Sequence, residues 1–149
     1  MDSVIFLDFD GVLNSLRSGI AFETYQRFDP VAVKLVRKLC DETESKIVVS
    51  STWRIGHTID TLQLRMHECG AGALSPLVIG MTGRDGRIRG DEIRAWLDMN
   101  PVLRYVIIDD DSDMHPDQYF VKTDHAVGMD SHAFKAAKEA LAQQDSREG

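Results

Sequence analysis

Cysteine is scarce in this chain: Cys40 and Cys69 are the only two among 149 residues. They lack metal-ligand spacing, so they read as buried or harmless free thiols rather than a disulfide or a redox site. Long apolar runs are also missing. The strongest near the N-terminus, Val4 to Leu7, is interrupted by Asp8 and Asp10, which argues against a membrane span or signal peptide and makes the cytoplasm the expected location. There is no excess of positive charge. With 17 Lys and Arg against 24 Asp and Glu, the net charge of −7 argues against a broad nucleic-acid-binding surface but leaves room for a local phosphate pocket. The five histidines show no HxH or HExxH spacing, so zinc is not expected. Neither a repeat nor a Pro- or Ser-rich linker divides the chain.

What remains is a balanced composition, 43% hydrophobic and 28% charged, suited to one globular domain. The expected division is a single domain over residues 1–142 and a polar tail over 143–149. Four short apolar runs, Val4 to Leu7, Ile47 to Val49, Tyr105 to Ile108 and Tyr119 to Val121, read as buried parallel strands. Leu77 to Met81 is a candidate fifth, and the RDGR stretch around Asp85 and Gly86 looks like a hairpin turn.

Helical patterns lie between the strands. Asp29 is a natural N-cap with Pro30 at the first helical position, and Val31, Leu35 and Leu39 form a stripe expected to face a sheet. Thr58 to Cys69 turns Ile59, Leu62 and Met66 inward, with Gly70 at its end. Asp91 to Met99 presents Ile93, Trp96 and Leu97 before Asn100 and Pro101 stop it. A last helix starts near Asp130 or Ser131, presents Phe134, Ala137 and Leu141, and frays into the tail. This alternation predicts a three-layer α/β/α sandwich.

In such sheets the ligand site lies beyond the carboxyl ends of the strands. Three runs end in polar residues there: Asp8, with Asp10 and Gly11 following; Ser50 and Ser51; and Asp109, Asp110 and Asp111. Converging carboxylates repel unless protonated or neutralised, and hard oxygen ligands suit Mg²⁺. Asp8 is placed to attack phosphorus and Asp10 to move the proton on and off the leaving and attacking oxygens. Ser50 or Ser51 would bond a phosphate oxygen, and an arginine would balance its charge. Ser50 is the better placed serine because it directly ends its apolar run as Asp8 does. Trp53 reads first as a packing residue.

These residues carry a family resemblance. FLDFDGVLN resembles motif I of the haloacid dehalogenase superfamily, KIVVSS motif II and VIIDDDSD motif IV. With SSTWR, RGDEIRAWL and VKTDHAVGMD, the pattern is similar to the haloacid dehalogenase domain of "Swiss army knife" RNA repair proteins. The resemblance implies a Rossmann-like, mostly parallel sheet and a Mg²⁺-dependent phosphohydrolase working through an aspartyl-phosphate. It implies Asp8 as nucleophile and metal ligand, Asp10 as acid/base with its backbone carbonyl on the metal, and Asp109 or Asp110 as the further acidic ligand, with Asp113 supporting through water. The superfamily's motif III lysine is replaced: Arg89 is the first choice, with Arg54 as competitor and Arg87 nearby.

Residues 11–49 and 51–108 are occupied by expected elements, leaving no room for a large cap domain. By resemblance, capless members often act on phosphates of large molecules, so the expected substrate is a phosphorylated RNA or DNA end or another macromolecule, and no membrane partner is expected. The rivals are a small-metabolite phosphatase, a phospho-responsive binding module resembling response-regulator receivers, and a catalytically silent partner-binding domain.

Overall fold

The first strand, β1 (Ser3–Leu7), is buried along its whole length, as a strand sandwiched between two helical layers must be. The computed structural model of the chain describes residues 3–148. Beside β1 lie β2 (Lys46–Val49) and β3 (Val78–Met81) on one side, and β4 (Arg104–Asp109) and β5 (Phe120–Lys122) on the other. The order is β3-β2-β1-β4-β5, and every pairing is parallel.

Alternate residues divide the core. Ile5, Leu7, Ile47, Val49, Val106 and Ile108 face α2 (Pro30–Thr43), α3 (Ile59–Glu68) and α5 (Ser131–Glu148). Val4, Phe6, Val48 and Ile107 face Ile93 and Trp96 of α4 (Arg89–Met99) on the opposite side. Period-two alternation thus builds the three layers and the Rossmann-like fold. The short helix α1 (Leu16–Phe22) sits above the carboxyl ends, begun by a Ser15–Ser18 capping box. No helix among the described residues is long and apolar enough to cross a membrane.

The Asp29 cap and Pro30 stand where expected, with Asp29 Oδ1 accepting from Val31 N at 2.9 Å. The inward stripe of α2 is rotated from the expected one: Ala32, Val36, Leu39 and Cys40 are buried while Val31 is 60% exposed. No hairpin forms around Asp85 and Gly86. Leu77 closes a 3₁₀ turn, β3 pairs only with β2, and residues 82–88 run as an irregular loop into α4. That helix starts two residues earlier than its pattern suggested. Asp113 supplies the reason: its Oδ2 accepts from Arg89 N at 3.2 Å and its carbonyl from Gly90 N at 3.0 Å, capping the helix from a distant loop. The segment expected to fray stays helical through Glu148. Within it, Gln144 is buried and exchanges hydrogen bonds with the backbone of Tyr105, at 3.0 and 2.8 Å.

Candidate active site

The sheet changes direction between β1 and β4: from β1 the chain winds outward to β2 and β3, then returns to start β4 on the other side. Loops leaving two such strands diverge and open a crevice. Asp8 follows β1 and Asp109 ends β4, so the register that pairs Leu7 with Ile108 sets the two side by side. Asp8 N is tied to Ile108 O at 3.1 Å.

After Asp8 the chain turns sharply, the Phe9 carbonyl accepting from the amides of Val12, Leu13 and Asn14. Gly11 makes the turn possible, with φ at 80° and Asp110 lying where a Cβ would stand, so any side chain there is both strained and obstructed.

Asp8, Asp109 and Asp110 each offer an oxygen, and these three atoms lie within 4.8 Å of one another. Among the described residues Arg89 is the one cation in direct contact, its Nη1 standing 3.1 Å from Asp8 Oδ1 and 2.8 Å from Asp109 Oδ2. Burial first, then the neighbouring Asp109 charge, push the Asp8 carboxyl up to about 9, with Arg89 pulling the other way. Burial likewise raises Asp109, against hydrogen bonds from Asp111 N and Arg89. Burial lowers Arg89, but Asp109 and Asp8 more than compensate and hold it above its ordinary value.

One guanidinium against three carboxylates leaves negative charge uncompensated. A set of hard, closely spaced oxygens of this kind fits a divalent cation. The Asp10 carboxylate lies outside that set. It is exposed and held by two donors on the same oxygen: Asn14 Nδ2 at 2.8 Å and Trp53 Nε1 at 3.1 Å, both to Oδ1. Trp53 also packs against Phe9 and Phe28, with ring centroids 5.7 and 5.1 Å away. Its packing role is therefore joined by a polar one that a lone tryptophan in sequence does not advertise.

The two serines separate by what their hydroxyls do. Ser51 Oγ accepts from Trp53 N at 3.2 Å and caps the 3₁₀ turn Thr52–Arg54, whereas Ser50 Oγ is buried with no hydrogen-bond partner. Thr82 Oγ1, just past β3, is buried and unpartnered as well; nothing in its sequence neighbourhood marked it.

The two arginines separate just as clearly. Arg54 is buried, and its five N–H groups meet the carbonyls of Thr82, Ser50, Ser51 and Gly83 and Glu92 Oε1, at 2.8 to 3.2 Å. It clamps the loops after β2 and β3 together and has no donor left for a phosphate. Arg89 reaches the acidic cluster, while Arg87 is exposed. Asp113 turns one oxygen to the α4 cap and leaves Oδ1 buried without a partner.

A cleft of about 380 Å³ opens beside Asp10, lined also by Asn14, Leu16, Tyr25, Asp110 and His125. A larger one, about 630 Å³, runs along α4 past Trp96 and Met99 and touches none of the three clustered carboxylates.

Neither the curated proteins nor the solved structures compared contain a match to this chain. Residues 4–134 match the family described as the HAD domain in Swiss Army Knife RNA repair proteins. The match spans the sheet from β1 to β5, α1 to α4 and the start of α5. With the acidic strand ends meeting at the switch point of a parallel sheet, the chain belongs to this family of haloacid dehalogenase domains.

Proposed function

We propose that this chain is a Mg²⁺-dependent phosphohydrolase that acts on phosphorylated nucleic-acid ends through an aspartyl-phosphate at Asp8. The observation that carries the reading is the placing of Asp8 against Asp109, Asp110 and Arg89, with Asp10 held nearby but outside their cluster. Asp8, Asp109, Asp110 and the Asp10 backbone carbonyl would hold the Mg²⁺. Bound there, the ion supplies the positive charge that keeps Asp8 ionised and screens it from an anionic phosphate.

An Asp8 carboxylate oxygen forms a bond to phosphorus as the bond to the leaving oxygen breaks, and Asp10 gives that oxygen its proton. Asp10 then takes a proton from the attacking water. The water oxygen bonds to phosphorus as the Asp8–phosphate bond breaks, releasing inorganic phosphate and restoring the Asp8 carboxylate and the protonated Asp10. Asn14 and Trp53 hold Asp10 by Oδ1, leaving Oδ2 to carry the proton. Ser50 Oγ and Arg89 meet the phosphate oxygens; the unpartnered Ser50 Oγ and Arg89 Nε support this assignment. Arg54 and Ser51 shape the loop beneath them.

The family supports a nucleic-acid end as substrate. The net charge of −7 favours a second reading, a small-metabolite phosphatase. The test is Mg²⁺-dependent phosphate release from 3′- and 5′-phosphorylated RNA and DNA ends, nucleotides, sugar phosphates and p-nitrophenyl phosphate, with Asp8→Asn as the blank. Release by wild type alone, fastest on oligonucleotide ends, is the expected result. Turnover confined to small phosphates selects the second reading, and equal release by Asp8→Asn refutes the mechanism.

A further inference from the structure

We infer that the cleft beside Asp10 is a nucleobase-binding subsite in which the ring of Tyr25 stacks on the terminal base of the substrate. The inference rests on Asp10 being the acid that protonates the leaving oxygen, because that role requires the organic part of the substrate to leave past Asp10. The cleft opens at that point, about 380 Å³ in volume and lined by Asp10, Leu16, Tyr25 and His125, within the range that encloses a small ligand.

Asn14, buried in its wall, is already fully engaged. Asn14 is 2% exposed and gives its amide hydrogens to Asp10 Oδ1 and to the Tyr25 carbonyl, each at 2.8 Å, while its Oδ1 accepts from Gly11 N at 2.9 Å. A sugar or polyol therefore finds no free hydrogen-bond partner in Asn14. A planar base needs a π face and little else.

Tyr25 offers such a face. It is 51% exposed, and its ring lies against Gly19 of α1, where a Cβ would collide with it. The backbone of Tyr25 is fixed through the same Asn14 amide that fixes Asp10, so ring and acid are held in register before substrate arrives. His125 stands across the cleft, and its carbonyl anchors Leu16 N at 3.0 Å. From Asp110 and His125 a second cleft of about 400 Å³ continues to Lys122, a cation placed for the next phosphodiester of a polynucleotide.

The test compares an oligonucleotide whose phosphorylated terminal nucleotide carries its base with one whose terminal sugar is abasic. For wild type, loss of the base should raise KM about tenfold with kcat within about twofold, the size expected of one stacked base. Tyr25→Ala should bring the ratio of the two KM values to near one, and Tyr25→Phe should restore it. A wild type that treats both alike, or a Tyr25→Ala protein that keeps the preference, overturns the proposal.

Binding without turnover gives a separate readout. Asp8→Asn should quench 2-aminopurine placed at the phosphorylated end, and Asp8→Asn with Tyr25→Ala should not. If wild type releases no phosphate from any substrate, the phosphohydrolase reading fails, and this quenching, present or absent, still decides the stacking. Equal affinity for nucleoside monophosphates and oligonucleotide ends would make a free nucleotide the ligand. Tighter oligonucleotide binding that weakens in Lys122→Ala would make it a polynucleotide end.

Discussion

At the amino end of the sheet, Ser3 Oγ meets Ser45 Oγ at 2.6 Å, Ser45 Oγ meets Thr43 Oγ1 at 2.7 Å, and Thr43 Oγ1 donates to the Leu39 carbonyl at 2.6 Å. At the carboxyl end, Ser50 Oγ, Thr82 Oγ1, Asp113 Oδ1 and Arg89 Nε are buried with no partner, and three carboxylates crowd together with one guanidinium touching two of them. Arg104 Nε is the single unpartnered atom of this kind at the amino end among the described residues. Unsatisfied buried polar atoms cost stability wherever they sit. Their concentration at one end is the pattern expected where a fold gives up stability to build a binding site.

The sharpest way to break this contrast uses the two arginines. Arg54→Ala leaves the partly buried Glu92 opposite an empty place and cuts five hydrogen bonds, which should cost about 3–5 kcal/mol in chemical denaturation. Arg89→Ala should lower kcat by about 10²- to 10³-fold, with Arg89→Lys recovering part of it. A fold unharmed by Arg54→Ala, or an enzyme unharmed by Arg89→Ala, would interchange their roles.

The second test concerns pH. Without metal, folded Asp8 keeps its proton up to about 9, whereas the unfolded chain releases it near pH 4. The folded state therefore holds more protons between those values, and stability falls as pH rises through the window. In chelator the melting temperature should drop by several degrees between pH 5 and pH 9. Asp8→Asn should flatten the profile and Mg²⁺ should lift its alkaline limb; a flat wild-type profile would contradict the crowding described here.

Trp53→Phe keeps a ring against Phe9 and Phe28 but removes the N–H that holds Asp10. The expected loss is about tenfold in kcat/KM for alkyl phosphates and less for p-nitrophenyl phosphate, whose leaving group needs no proton. Equal losses on both would reduce Trp53 to a packing residue.

The smallest effect is a matched pair. Ser3→Ala should cost about 1 kcal/mol with activity intact, and Ser50→Ala should lower activity while stability holds or rises. The reverse pattern would erase the distinction between the two ends.

Much of this was legible in sequence because it depends on local pattern. Apolar runs ending in Asp8, Ser50 and Asp109, and Asp29 before Pro30, needed no long-range information. What escaped depends on contacts between segments far apart. Arg54 lies near Ser50 in sequence, as a phosphate ligand would, but its partners Thr82, Gly83 and Glu92 come 28 or more residues later. Asp113 follows the acidic strand end as a metal-supporting carboxylate would, yet one of its oxygens caps α4. Val31 matched a helical stripe, but the packing of α2 set the inward face on Ala32 and Val36. The RDGR stretch carries turn residues without an antiparallel partner, so turn chemistry alone misread it.

The central claim, that Asp8 becomes phosphorylated, is tested most directly by adding borohydride during steady-state turnover with Mg²⁺ and mapping the modified residue by mass spectrometry. Reduction of an aspartyl-phosphate leaves homoserine, expected at position 8 and only when substrate is present. Turnover with position 8 unmodified, or homoserine at position 109 or 110 instead, would contradict it.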